Sequence, residues 1–158
     1  MFMAALILIV STGLFFFYLQ VLCQKILRRQ FAQEFSQSIV NANRLEFPSV
    51  RKAIEELGTP VEYPRLALTL KCDFLALTYL LKNAANVNQK YSYEERLLIV
   101  YFKVVFAAMF SRHLLKLREA PAALKLTAIL EYFANVVGER VNTVRFGNLT
   151  ASDYLLNL

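Results

Sequence analysis

An unbroken apolar run opens the chain, from Met1 to Gln24, without a single charged side chain. A bilayer core of about 30 Å requires about 20 apolar residues in helical form, so this run is long enough to cross a membrane once. A cleaved signal peptide would have basic residues before the apolar run, and none is present here. The pattern therefore predicts an uncleaved transmembrane helix over residues 1–24.

Three cations follow the run directly, namely Lys25, Arg28 and Arg29. Basic residues beside a span favour the cytoplasmic side and attract anionic lipid headgroups. We therefore predict a single-pass protein with its N-terminus outside and its C-terminal domain in the cytoplasm. The same three cations are the predicted contacts with the membrane surface.

Between Lys25 and Phe47 the chain contains neither proline nor glycine, so helix is expected to continue out of the span. Phe31, Phe35 and Ile39 recur every four residues and form one apolar stripe on this helix. The sequence thus predicts an amphipathic juxtamembrane stalk helix over residues 25–47. Its stripe can lie on the membrane, pack on the chain's own domain or dock on a partner protein, and the three residues are candidate partner-docking positions.

Apolar residues at helical spacing continue through residues 48–138, where proline, serine and glycine signals mark the element ends. The predicted helices cover about 48–58, 64–82, 92–118 and 121–138, the last ended by Gly138. Ser92 and Glu95 have the spacing of a capping box, the clearest local signal in the chain. The predicted fold class is all-α, with one N-terminal transmembrane helix followed by a small bundle of about four to five helices.

Helix 64–82 carries two apolar faces and is therefore expected at the centre of the bundle. The first face comprises Leu66, Leu70, Phe74, Leu77 and Leu81, and the second comprises Leu68, Cys72, Leu75 and Tyr79. Lys71 and Asp73 interrupt this run and argue against a second span. In helix 92–118 the apolar stretch is interrupted by Lys103, so a membrane-embedded hairpin of these two helices is the less favoured alternative.

The last segment, residues 139–158, is richer in Asn, Thr and Arg and is predicted to be an irregular docking tail. Leu155, Leu156 and Leu158 lie in this segment. Terminal residues are usually polar and frayed unless they are docked. These leucines are therefore candidate partner-docking residues.

The net charge of +6 indicates a class of partner only when the positions of the basic residues along the chain are considered. A second basic group contains Arg112, Lys116, Arg118 and Lys125. The chain has no recognisable helix-turn-helix pair, and a membrane anchor precedes this group. Contact with anionic lipid or protein is favoured over nucleic acid, which is not an expected partner.

Candidate chemistry is sparse. His113 is the only histidine, and Met109 lies one helical turn before it, a pair that suggests haem ligation. Two axial ligands cannot reach one iron from adjacent turns of one helix, so His113 is only a weak cofactor candidate, and a satisfied or surface histidine is expected. No metal or cofactor is predicted. Cys23 and Cys72 are expected to be buried thiols.

These observations favour a non-enzymatic accessory or structural subunit of a larger membrane complex, for example a respiratory or photosynthetic one. Its expected partners are other membrane protein subunits and anionic lipid headgroups. The alternative is a membrane-tethered protein that binds lipid, pigment or another hydrophobic ligand between helices 64–82 and 92–118. An enzyme ranks third and would need a site built from Cys72, Asp73, Arg112 or His113.

Overall fold

The structure is a computed structural model that describes residues 1–56, 62–83 and 90–156, with side chains as far as residue 144. Within these ranges every regular element is a helix, which confirms the all-α prediction. The six helices are α1 (Phe2–Leu27), α2 (Ser36–Asn43), α3 (Phe47–Glu55), α4 (Tyr63–Asn83), α5 (Tyr93–Leu114) and α6 (Ala120–Leu156).

The central helix of the bundle is α6, which packs against all five other helices. Its inward face is completely buried and consists largely of Leu126, Ile129, Leu130 and Phe133. The prediction that helix 64–82 would be central is therefore wrong. Only the first apolar face of α4 is buried. The second face remains exposed, because α6 packs on one side of α4 only.

Gly138 does not end α6, which continues for another 18 residues to Leu156. A Cβ atom placed on Gly138 would lie 2.1 Å from Cβ of Phe35, so the absent side chain allows the segment before α2 to approach α6 closely. The glycine serves close packing instead of helix termination. The prediction of an irregular tail is wrong for the backbone of residues 139–156.

The predicted continuous stalk helix is interrupted, since α1 ends at Leu27 and α2 begins at Ser36. The reason lies in tertiary hydrogen bonds: the backbone amides of Phe35 and Ser36 both donate to Oδ1 of Asn135, each at 2.8 Å. Asn135 belongs to α6 and is buried. A side chain from the central helix thus caps α2, and the connecting segment 28–35 can leave the helical path.

The Asp73 side chain caps the start of α3 in the same way. Its Oδ2 atom accepts hydrogen bonds from the amides of Glu46 at 2.9 Å and Phe47 at 2.7 Å. Burial raises the pKa of the Asp73 carboxyl above its ordinary value of 3.8, while the two amide hydrogen bonds lower it. Pro48 occupies the first turn of α3, as predicted.

The predicted capping box is confirmed at the start of α5. The amide of Glu95 donates to Oγ of Ser92 at 3.2 Å, and the amide of Ser92 donates to Oε2 of Glu95 at 3.0 Å. The second carboxylate oxygen of Glu95 accepts from the Arg140 guanidinium, which also donates to the carbonyl of Leu81. One buried cluster therefore joins the end of α4, the start of α5 and α6.

Three of the described helices are long and apolar enough to cross a membrane: Phe2–Leu27, Tyr93–Leu114 and Ala120–Val144. The bundle covers them to different extents, with 6%, 28% and 67% of their most apolar windows buried, respectively. The sequence had indicated one such helix. Length and composition thus allow up to three spans in the described part of the chain.

Candidate membrane and partner surfaces

The N-terminal part of α1 has no protein cover. Every side chain from Met1 to Tyr18 is exposed, whereas Leu19 and Cys23 are buried against the bundle. At about 1.5 Å per residue the exposed stretch is about 27 Å long, close to the thickness of a hydrocarbon core. It is the largest continuous apolar surface among the described residues.

The packed part of α1 runs antiparallel to α5. Arg29 lies 3.7 Å from Glu94 at the start of α5, while Phe16 lines the same cleft as Arg112 near the end of α5. The exposed half of α1 therefore leaves the bundle beside the connection between α5 and α6. We call the place where α1 leaves the bundle its exit point.

Lys25, Arg28 and Arg29 are exposed, but they lie at the other end of the packed segment. Arg28 is about 18 Å along the helix from Phe16, from the rise of about 1.5 Å per residue. The Arg29 guanidinium lies 3.7 Å from Glu94 and 3.8 Å from Glu139, and 5.5 Å from the ring centroid of Phe31. Arg29 thus contacts acidic and aromatic groups of its own bundle.

The predicted docking stripe packs inside the chain, on α6. The rings of Phe31 and Tyr132 meet edge to face with centroids 5.4 Å apart, and Phe35 lies against Gly138. Ile39 is half-buried beside the core. The sequence allows three locations for this stripe: the membrane, the chain's own domain or a partner protein. Packing on the chain's own domain accounts for it.

A second apolar surface, which sequence reasoning had assigned to the core, lies on α4. Leu68, Leu75 and Tyr79 are 64%, 57% and 67% exposed, and Cys72 is exposed between them. We call these four residues the α4 outer face. Their spacing forms one continuous stripe on the helix, as predicted. The prediction that this stripe would be buried is wrong.

At the C-terminal end, Leu155 and Leu156 belong to the last turn of α6, while their side chains and all of Leu158 lie outside the described residues. With 37 residues, α6 is about 55 Å long and extends well past the start of α5. The C-terminal end of α6 therefore points away from the exit point of α1. Docking by these leucines stays a prediction.

His113 lies at the end of α5 and has partners within the chain. Its ring stacks on Tyr63 with centroids 3.9 Å apart, and Nδ1 is 2.5 Å from Oε1 of Glu119. Burial and the nearby Glu119 carboxylate raise the pKa of Tyr63. These contacts join the ends of α4, α5 and α6, as expected of a satisfied histidine, and Met109 is completely buried.

The residues considered for an enzyme site do not converge in the described structure. Cys72 is exposed on α4, whereas the Asp73 carboxylate faces inward and caps α3. His113 and Arg112 lie near the far end of α5, where Arg112 donates to the carbonyl of Arg118 at 3.2 Å. Among the described residues no group of three or more His, Cys, Asp or Glu side chains is placed to hold a metal ion.

Aromatic side chains stack between α4 and α5, where the sequence suggested a ligand pocket. The rings of Phe74 and Phe102 stack almost parallel, at 5°, with centroids 4.0 Å apart. Phe102 also stacks with Phe106 at 6.0 Å. These rings pack on one another at the contact between the two helices, and binding of a hydrophobic ligand there stays a prediction.

No protein-family model matches the chain, and no curated protein or solved structure matches it. The geometry defines it by class, as an all-helical protein with apolar helices compatible with membrane association. Its candidate functional surfaces are therefore the exposed half of α1 and the α4 outer face, both of which suit contact with apolar partners.

Proposed function

We propose that this protein is a non-enzymatic, single-span accessory subunit of a larger membrane complex, acting through protein and lipid contacts. The exposure of two separate apolar surfaces carries the proposal, because α1 provides the anchor and the α4 outer face remains uncovered on the bundle. Monomeric soluble proteins rarely expose contiguous apolar surface of this extent.

A single span agrees best with the burial of the three candidate helices. In α6 most apolar side chains already face the protein core, so lipid would not be needed to cover them. In α5 the exposed Lys103 lies near the middle of the helix, and a charge at the bilayer centre costs about 3 kcal/mol or more. Among the three candidate helices, only α1 has a long uncharged stretch, as far as Gln24, whose surface the bundle leaves largely bare.

Orientation follows from the basic residues. The bundle side of α1 carries Lys25, Arg28 and Arg29, while Met1 to Tyr18 contains no lysine or arginine. The positive-inside rule then places Met1 outside and the bundle in the cytoplasm. The cytoplasmic bundle would present the α4 outer face to a neighbouring subunit of the complex.

The α4 outer face suits an apolar helix of such a subunit. Leu68, Leu75 and Tyr79 are large, and burying one such side chain contributes about 1.5–3 kcal/mol. Tyr79 adds a hydroxyl that can bond to a polar group at the rim of an interface. The stripe thus has the composition of an interface core.

The test is purification of the full chain from its native membranes in a mild detergent. We expect stoichiometric partners that are lost in Leu75→Glu and retained in Lys71→Glu, a charge change at an exposed polar position of the same helix. Both variants should keep the helical content of the wild type by circular dichroism. Recovery of the wild type as a monomer, or equal loss of partners in both variants, would contradict the proposal.

A further inference from the structure

The connection between α5 and α6 exposes an apolar tip. Leu114, Leu115 and Leu117 are 66%, 69% and 55% exposed. We call residues 114–118 the α5–α6 turn. Three leucines exposed on one short connection cannot be explained by the core of the bundle.

The turn is a defined hydrogen-bonded structure. The amide of Leu117 donates to the carbonyl of Arg112 at 2.8 Å, and the amide of Lys116 donates to the carbonyl of His113 at 3.0 Å. These two bonds form a Schellman motif, in which Lys116 has the left-handed φ of 53°. The motif commonly packs its last apolar residue on the preceding helix, yet Leu117 is directed to the surface.

Basic residues surround these leucines. Arg112, Lys116, Arg118 and Lys125 are all exposed. The acidic residue of this region, Glu119, is half-buried and contacts His113. A cluster of exposed leucines with cations around it matches the composition of segments that lie in the interface of an anionic bilayer.

The exposed half of α1 leaves the bundle at this same end. Phe16 shares a cleft with Arg112, Pro121 and Lys125, so the residues before Phe16 extend beyond the turn. If α1 crosses a membrane, its lipid-facing stretch begins beside the turn. The turn is then held at the depth of the headgroups by the geometry of the bundle.

From these observations we propose that the α5–α6 turn is a second membrane contact, which rests in the headgroup region of an anionic leaflet. Its leucines enter the boundary of the acyl chains, and its cations contact lipid phosphates. The inference depends on the proposed span of α1. It places the membrane boundary near Tyr18 and assigns the boundary cations to the turn, in place of Lys25, Arg28 and Arg29.

The test measures the depth of labels on the full chain in lipid vesicles. A polarity-sensitive fluorophore is attached to Leu115→Cys, or in a second variant to Leu117→Cys, with Cys72→Ser as the background and the native Cys23 buried. The matched control is Tyr93→Cys, at the opposite end of α5 and 77% exposed. Circular dichroism confirms that each labelled variant is folded.

In vesicles of phosphatidylcholine with phosphatidylglycerol, we expect the turn labels to be quenched by lipids with a shallow nitroxide. Aqueous iodide should quench them severalfold less than the Tyr93→Cys label. Equal access of iodide to both positions would overturn the inference. Shielding in native membranes but not in vesicles would assign the turn to a protein partner and would overturn it as well.

Charge is tested with the triple variant Lys116→Gln, Arg118→Gln and Lys125→Gln. Its control removes three exposed cations elsewhere, at Lys52, Lys71 and Lys82. The first variant should expose the turn label to iodide, as should vesicles of phosphatidylcholine alone, while the control should not. Equal behaviour of the two triple variants would contradict the role of these cations.

A label at Ile9→Cys separates this inference from the proposed span. If Ile9 is quenched by deep lipid nitroxides while the turn labels stay accessible to iodide, the span stands and the turn contact fails. If the Ile9 label is itself accessible to iodide, the span fails and the inference fails with it.

Discussion

Replacement of Arg140 by alanine probes the buried cluster that joins α4, α5 and α6. The guanidinium donates to the Glu95 carboxylate and to the carbonyl of Leu81, and the Glu95 side chain is only 4% exposed. Without Arg140 the carboxylate retains the amide of Ser92 as its partner at 3.0 Å. A charge then remains in a place that water hardly reaches.

The expected cost follows from this burial. Removing one partner of a buried ion pair typically costs about 3–5 kcal/mol, because the remaining charge is uncompensated. The matched control is Arg51→Ala, since Arg51 pairs with Glu131 through side chains that are 39% and 35% exposed. Pairs at such exposure contribute about 1 kcal/mol or less.

The measurement is reversible unfolding of the full chain in mixed micelles, titrated with a denaturing detergent and followed by far-ultraviolet circular dichroism. Glu95→Ala and the double variant complete a cycle, in which the pair should show a coupling free energy of about 1–3 kcal/mol. If Arg140→Ala costs no more than Arg51→Ala, the cluster does not hold the three helices together. A fully additive double variant would also refute the reasoning.

Three further predictions concern packing, protonation and orientation. Gly138→Ala should lower the free energy of unfolding by about 1–3 kcal/mol because its methyl group collides with Phe35, whereas Gly13→Ala, with nothing within 4 Å, should not; equal melting temperatures would contradict this. Burial raises the folded-state pKa of Asp73, so its ionisation costs stability. Stability should fall as pH rises through that pKa, and Asp73→Asn should remove the fall from a series of melting curves; an unchanged pH slope would argue against it. A membrane-impermeant maleimide should label Tyr93→Cys, in the Cys72→Ser background, only after cells are opened; labelling of intact cells would reverse the proposed orientation.

Local patterns predicted much of the helical content. The uncharged run that forms α1, the capping box of α5 and the buried face of α4 are each contained within one helix. Such signals depend only on the residues of one continuous segment, so they can be read without knowing the fold. The exposed stripe of the α4 outer face was visible for the same reason.

Burial and helix ends depended on contacts between distant residues. Asn135 caps α2 from a position 100 residues away from Phe35, and Asp73 caps α3 from 26 residues beyond Phe47. Neither helix has a side-chain cap from a neighbouring residue, and only α3 carries a local start signal, Pro48 in its first turn. Gly138 resembles a stop signal locally and becomes a packing position only because Phe35 lies against it.

The membrane-facing residues divide in the same way. The absence of charge from Met1 to Gln24 establishes that α1 can enter lipid, because each buried charge would cost free energy that an apolar side chain does not. Where α1 leaves the protein depends on its antiparallel packing against α5, which buries Leu19 and Cys23. That packing separates Arg28 from the exit point and brings the α5–α6 turn to it, since adjacency in space is decided by the packed core and not by order along the chain.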